Sequence, residues 1–190
     1  PRADGWALDP ERVEAALRAG ARVVCVTDLH NPTGVALSAD AVDALRDAAR
    51  RHGAWIVLDE VYRDFLPGPV GSAYRADERV VCTSSLTKCY GLGAARCGWI
   101  AAPEAVRRRV EELVGIVHGG DPAPALDVGV RALSHADDLL ARAREAARRG
   151  RRVMDAWVDA TPRVTWTPPT AGLTGLVQVE GLRDSVDVAR

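Results

Sequence analysis

Short apolar runs alternate with amphipathic stretches of helical length across the first hundred residues, and this alternation restricts the fold more than any other feature of the chain. The run ARVVCVT at residues 21–27 is apolar nearly throughout, the pattern of a strand buried on both faces. Ser38 then opens the stretch SADAVDALRDAARRHG as an N-cap, Val42, Leu45 and Ala49 recur at helical spacing, and Gly53 closes it. AWIVLD at residues 54–59 is the next strand. Strand, helix and strand form a βαβ unit, so these two strands are predicted parallel and joined by a right-handed crossover. RVVCTSS at 79–85 and CGWIAA at 97–102 supply two further strands, and a helix begins at Pro103. Ahead of the first strand, PERVEAALR at 10–18 is a helix with Pro at its first position and Gly20 just beyond its end.

Residues 123–160 lose the strand runs and turn to Ala, Arg, Leu and Asp, which predicts one or two long helices. After a Pro-rich break, residues 161–181 return to strand-like alternation. The fold class is therefore α/β with a mostly parallel sheet. A boundary near 122–130 divides the chain into two domains.

Charge and cysteine usage narrow the partners. The 25 basic and 26 acidic residues leave a net charge of −1, with no broad attraction to nucleic acid or to an anionic membrane. No apolar stretch is long enough to span a bilayer and the first twenty residues are charged throughout, so a cytoplasmic location is expected. Cys25, Cys82, Cys89 and Cys97 lack metal-binding spacing and are expected to be free thiols, with Cys25 and Cys82 buried in their strands. The chain begins at Pro1 and its single methionine is Met154, which predicts a piece of a longer protein. One count stands out. Of the 25 basic side chains 24 are Arg and one is Lys88. A bias toward Arg operates where either cation serves, but not where a primary amine is chemically required, which makes Lys88 the first candidate for chemistry.

In open parallel sheets ligands bind at the carboxyl ends of the strands. Here the loops at those ends hold Asn31-Pro32-Thr33-Gly34 after the first strand, Asp59, Glu60 and Tyr62 after the second, and Ser84, Ser85, Thr87 and Lys88 after the third, with Arg96 before the fourth. Each could be a turn, cap or surface residue alone. Together they offer an acid, a phenol, an amide, a hydroxyl, an amine and a guanidinium to one ligand.

N-P-T-G, D-E-V-Y and S-S-L-T-K followed eight residues later by Arg96 resemble the pattern of the class I/II aminotransferases, which bind pyridoxal 5'-phosphate on the fold type I scaffold. The order matches, as do the intervals: 28 residues from Asn31 to Asp59, three to Tyr62, 26 to Lys88 and eight to Arg96. The resemblance implies a three-layer α/β/α large domain over residues 1–125, with 126–190 as the connecting helix and the beginning of a small α+β domain; it also implies a transfer of an amino group between an amino acid and a 2-oxo acid, and a homodimer in the complete protein. It implies that Lys88 forms an imine with the cofactor and then shuttles a proton. Asp59 would pair with the pyridinium nitrogen, Tyr62 and Asn31 would hydrogen-bond the ring oxygen, and Ser85 and Arg96 would hold the phosphate. Lys88, Asp59 and Tyr62 are thus the expected catalytic residues. His30 is more simply structural than a pocket residue, Cys89 and Cys97 are packing residues near the site, Trp99 packs within its strand, and Glu60 takes no direct part.

Complete members of that family are about twice this length, with an N-terminal phosphate loop, an aromatic residue stacked on the cofactor and a C-terminal arginine for the substrate carboxylate. None of these has a match in the chain, and neither Arg183 nor Arg190 is assigned to the last role. A fragment without them is expected to be inactive alone. Two alternatives share the scaffold: a pyridoxal-phosphate-dependent lyase or decarboxylase, and a non-catalytic effector domain of a transcriptional regulator.

Overall fold

The computed structural model describes residues 5–68, 70–76, 79–117, 119–120 and 122–182. Its centre is a four-stranded sheet in which β1 (Val23–Thr27), β2 (Trp55–Asp59) and β3 (Val80–Ser85) run parallel in that order, and β4 (Gly98–Ala101) lies antiparallel on the outer side of β3. The strands fall within two residues of their predicted limits. The reversal at β4 follows from the connection before it. Residues 86–97 form a short loop with a single 3₁₀ turn at Gly93–Ala95, and Leu86 N–H donates to the Cys97 carbonyl at 3.0 Å, so the chain doubles straight back beside β3.

Caps written into the sequence set the first helices. In α1 (Pro10–Arg18) the Asp9 carboxylate accepts from the backbone N–H of Glu11 and Arg12, and Pro10 occupies the first turn, where its missing donor is not needed. In α2 (Ala39–His52) the Ser38 hydroxyl accepts from Ala41 N–H, and Gly53 ends the helix with φ 61°. Both helices lie on one face of the sheet. Leu17 of α1 and Val42, Leu45 and Ala49 of α2 meet Ile56, Leu58, Val80 and Cys82 from alternate strand positions. Full burial of each large apolar side chain in this cluster contributes roughly 1.5–3 kcal/mol.

The opposite face departs from expectation. β1 was predicted buried on both faces, yet Val23 is 56 % exposed and Cys25 is exposed. Val24 and Val26 face the α2 cluster, so strand alternation turns Val23 and Cys25 the other way, where no described element covers them. An apolar run therefore reported strand character correctly and burial incorrectly.

The remaining described chain is α3 (Glu104–Val117), α4 (Ala123–Ser134), α5 (Ala136–Ala160) and a two-stranded antiparallel sheet of β5 (Val164–Trp166) and β6 (Val177–Val179). The predicted long helical region is two helices. They part at His135, whose φ of −122° leaves the helical range, while the Ser134 hydroxyl bonds back to the carbonyls of Val130 and Arg131. No helix among the described residues is long and apolar enough to cross a membrane. Arg183 and Arg190 lie outside the described residues.

One contact joins the segment after β5 to the main sheet. The Gly34 carbonyl accepts from Thr170 N–H at 2.8 Å and Ala171 N–H at 3.4 Å, and Ala36 N–H donates to the Thr170 hydroxyl at 3.1 Å. Gly34 has φ 69°, and a Cβ there would stand 2.5 Å from Pro169 Cβ and 2.8 Å from the Thr174 carbonyl oxygen. Gly53 has a similar φ of 61° with nothing within 4 Å of an added Cβ, which separates backbone strain from crowding. Gly53→Ala is expected to cost about 1–2 kcal/mol from the left-handed backbone alone, and Gly34→Ala roughly 2–5 kcal/mol from strain plus overpacking. Urea unfolding of the two variants measures the difference; equal losses would mean that the junction at residue 34 yields freely.

Candidate functional site

Parallel pairing brings the ends of β1 and β2 level with Thr83, two residues before the end of β3. Thr27 pairs with Asp59, and Asp59 with Thr83, so the three following loops leave one edge of the sheet together. Asp59 is half-buried, and its Oδ1 accepts from Val61 N–H at 3.1 Å and from the Thr83 hydroxyl at 3.4 Å. These bonds fix the carboxylate against its own turn. The chain then enters a 3₁₀ turn at Arg63–Phe65, and Tyr62 at its start is buried beside Leu86, Cys89 and Phe65.

Lys88 is exposed on the loop after β3, with its Nζ 5.9 Å from the centre of the Tyr62 ring, inside the range of a cation–π contact. Ser85 ends β3 opposite Gly98 of β4, and its hydroxyl accepts from Thr87 N–H at 3.3 Å. A Cβ at Gly98 would sit 2.9 Å from the Ser84 carbonyl oxygen, so a glycine is needed for β4 to approach this closely. Arg96, two residues before Gly98, holds φ 51°, an uncommon conformation for a residue with a Cβ; its side chain is exposed with Nη1 near the Gly93 carbonyl at 3.4 Å. Lys88 thus stands near Tyr62, three residues past Asp59 at the end of β2, Ser85 and Arg96 flank the β3–β4 junction, and Asn31 is exposed in the loop after β1 at the same sheet edge.

A buried ionic group beneath these loops escaped the sequence reading. Asp28 is fully buried, with one oxygen accepting from Leu37 N–H at 3.0 Å and the other paired with Arg63 Nη1. Arg63 Nε donates to the Gly71 carbonyl at 2.9 Å and lies 3.7 Å from Glu60. Glu60 is itself buried, accepting from the Ser72 hydroxyl at 2.6 Å and from Ala73 N–H at 2.7 Å. Asp28 stands three residues before Asn31 and Arg63 directly after Tyr62, so this pair ties the first loop to the second. The available signal was an acid in a turn whose neighbours are apolar, and it does not distinguish a surface cap from a buried anchor.

The other candidates resolve individually. His30 is exposed and its Nδ1 meets the buried Thr33 hydroxyl at 2.8 Å, which orders the loop. Trp99 is 37 % exposed and stands edge-on to Tyr90, with ring centres 6.4 Å apart. Burial pushes the Cys82 thiol up to about 11, with the nearby Glu60 adding to it, and pushes Cys89 up to about 12, with Asp64 adding to it. Both are inert packing thiols. Among the described residues no group of His, Cys, Asp and Glu could hold a metal ion. An open groove of about 720 Å³ follows the outer edge of β1, lined by Trp6, Leu8, Arg12, Val24 and Cys25; it reaches this site only through Thr27 and His30, and neither Lys88 nor Asp59 lines it.

Comparison with known proteins finds relatives over nearly the whole chain. Residues 1–188 match the family described as aminotransferase class I and II. The chain is 27% identical over 181 residues to an arginine-pyruvate transaminase of Pseudomonas aeruginosa, covering 93% of this chain and 46% of that protein. It is 28% identical to capreomycidine synthase of Streptomyces vinaceus, over 97% of this chain and 48% of the other. A crystal structure described as a PLP-dependent aminotransferase from Streptococcus suis superposes with a TM-score of 0.86 at 27% identity, covering 94% of this chain and 48% of that one. The chain spans about half the length of the curated relatives it matches.

The Asp28–Arg63 pair generates a stability prediction. Arg63→Met leaves a buried carboxylate without its cation and is expected to cost about 3–5 kcal/mol. Asp28→Asn added to it removes the stranded charge and keeps an acceptor for Leu37 N–H, so the double variant should recover roughly 1–3 kcal/mol. Urea melts of the single and double variants test this; a double variant no more stable than Arg63→Met would show that the two charges are not coupled.

Proposed function

The chain belongs to the class I and II aminotransferases, and on that premise we propose that it carries the cofactor-holding part of an enzyme that moves an amino group between an amino acid and a 2-oxo acid with pyridoxal 5'-phosphate. The observation that carries the reading is Lys88: the chain's single lysine among 24 arginines, standing 5.9 Å from the Tyr62 ring, three residues downstream of Asp59. The donor set suits that cofactor, since an acid, a phenol, an amide, an amine, a hydroxyl and a guanidinium meet the chemistry of its ring nitrogen, ring oxygen, aldehyde and phosphate.

When bound, the cofactor supplies an electron sink for the carbanion left by removal of a substrate's α-proton. The chain's own residues do the rest. Lys88 would hold the cofactor's aldehyde carbon through its amine, and its Nζ, when free, would be the base that takes up and returns the substrate's proton. The Asp59 carboxylate, braced by Val61 N–H and the Thr83 hydroxyl, keeps a proton on the ring nitrogen by opposite charge. Tyr62 and Asn31 donate to the ring oxygen. Ser85 and Arg96, brought to one end of the β3–β4 pair by the register of Ser85 with Gly98, hold the phosphate, the guanidinium by its fork of donors. Residues 1–125 form the cofactor-holding domain and 126–190 the connecting helix and the start of a second domain. The active assembly is a homodimer, and the half of the relatives' length that this chain does not span supplies the substrate-carboxylate arginine.

A second reading keeps the cofactor and changes the bond broken. The likeness to capreomycidine synthase, whose name denotes a synthase, favours it as the runner-up.

Measurements on the full-length protein test the proposal. Borohydride reduction in the presence of pyridoxal phosphate, followed by peptide mapping, is expected to leave the pyridoxyl group on Lys88; a label elsewhere overturns its assignment. Lys88→Arg should lower turnover by roughly 1,000-fold or more, because a guanidinium stays protonated and is a poor nucleophile. Asp59→Asn keeps shape and hydrogen bonding but removes the charge, so turnover should fall by about 100-fold or more while cofactor binding changes far less. Near-normal turnover in that variant would exclude Asp59 as the partner of the ring nitrogen. Keto acid formation from a panel of amino acids distinguishes transamination from the runner-up.

A further inference from the structure

Lys88 carries its amine on a four-carbon stem at an exposed position, so the direction of that amine depends on how firmly the loop beneath it is held. Three residues flanking Lys88 bear on this. Leu86 is fully buried, and Leu92 N–H donates back to its carbonyl at 3.0 Å, closing the loop. Cys89 is fully buried, and its thiol donates to the Val61 carbonyl at 3.1 Å. Tyr90 is nearly buried, and its hydroxyl donates to the Asp64 carboxylate at 2.8 Å.

The partners of the last two bonds straddle Tyr62. Val61 precedes it and Asp64 follows two residues later, so the loop bearing Lys88 is stitched to the turn bearing Tyr62 on both sides. Asp64 is in turn held from a third element. Arg144 of α5 donates from Nε and Nη2 to the Asp64 carbonyl at 2.9 and 2.7 Å, and from Nη2 to the Gly68 carbonyl at 3.5 Å. A hydroxyl donating to a carboxylate is among the stronger neutral-to-ion bonds, whereas a thiol is a weak donor. Tyr90–Asp64 is therefore the dominant stitch. Burial, and then the bond to Asp64, raise the Tyr90 phenol well above its ordinary range, so it remains a donor across the working pH.

We propose that Tyr90 and Asp64 are positioning residues for Lys88: their hydrogen bond, backed by Arg144, sets the amine of Lys88 relative to Tyr62. The inference rests on the assignment of Lys88 as the cofactor-holding amine. It adds a role for two residues that touch neither the cofactor nor the substrate in that assignment. The Tyr90 ring packs against Trp99 whether or not the hydroxyl is present, so Tyr90→Phe removes the stitch and keeps the packing.

The test uses the purified full-length protein with pyridoxal phosphate as the probe, read as the rate of borohydride-trapped label on Lys88 and as kcat and KM. Tyr90→Phe and Asp64→Ala are each expected to slow labelling and lower kcat by about tenfold, with KM changed by less than about threefold, because a loosened amine misses its reacting geometry more than it weakens binding. Asp64→Asn retains an acceptor oxygen and should stay within about threefold of the wild type. Tyr90→Phe combined with Asp64→Ala should be no worse than either alone, within about twofold, as expected of two ends of one bond. A Tyr90→Phe protein with kcat and labelling rate within twofold of the wild type overturns the proposal, and so do losses that multiply in the double variant. Absence of any pyridoxyl group on Lys88 in the wild type overturns the underlying assignment and this inference with it, an outcome distinct from the first two.

Discussion

Parallel pairing sets the ends of β1 and β2 beside Thr83, close to the end of β3, and the placement of the candidate residues depends on that register. Thr27, Asp59 and Thr83 sit side by side. The loops that follow therefore emerge together although Asn31, Tyr62 and Lys88 lie far apart in sequence. The pairing is backbone-driven and indifferent to side-chain identity, which frees the residues just past the strand ends to be selected for reactivity. The antiparallel β4 extends the same logic. By doubling back along β3 it sets Gly98 opposite Ser85, and so brings Arg96 to the loop that carries Lys88.

Level strand ends do not by themselves fix loops, and the loops here are held by buried polar groups. Asp28 and Arg63 join the first loop to the second, and Tyr90 and Asp64 join the second to the third. A buried ion pair contributes little net stability, because desolvating both charges offsets much of their attraction. Its value is geometric, since alternative arrangements of the loops would strand one charge in the interior. Asp28 spends both oxygens this way, one on Leu37 N–H and one on Arg63. The brace is thus continuous from the residue before the first loop to the loop of Lys88.

Periodicity made the strands, the capped helices and the parallel order legible, because Ser38, Gly53, Asp9 and Pro10 act through local backbone chemistry that does not depend on what lies across the fold. The six candidate residues were legible for a related reason: each sits beside a strand end, a place sequence can mark. Burial was less legible. Cys25 lies in a run as apolar as that of Cys82, yet Cys82 faces α2 and Cys25 faces a side of the sheet that none of the described elements covers. Which face is covered is a property of distant elements, not of the run. The braces were hidden for the same reason, since Asp28, Asp64 and Tyr90 acquire their roles only from partners 35, 80 or 26 residues away.

The distribution of cations follows from the same division between structure and chemistry. Arg63 serves Asp28 and the Gly71 carbonyl at once, Arg144 grips the carbonyls of Asp64 and Gly68, and Arg151 lies 5.0 Å from the Trp166 ring while donating to the Pro169 carbonyl. Each task uses several donors held in one plane, or a flat face to stack, which a guanidinium has and an ammonium lacks. Every structural task favours Arg. Bond formation with a carbonyl carbon demands the opposite properties, a single nitrogen that can lose its proton and attack. On the role proposed for Lys88, the 24 arginines and the one lysine divide the two kinds of work by residue type. The one position where the separation breaks toward the amine is the loop that three elements conspire to hold still.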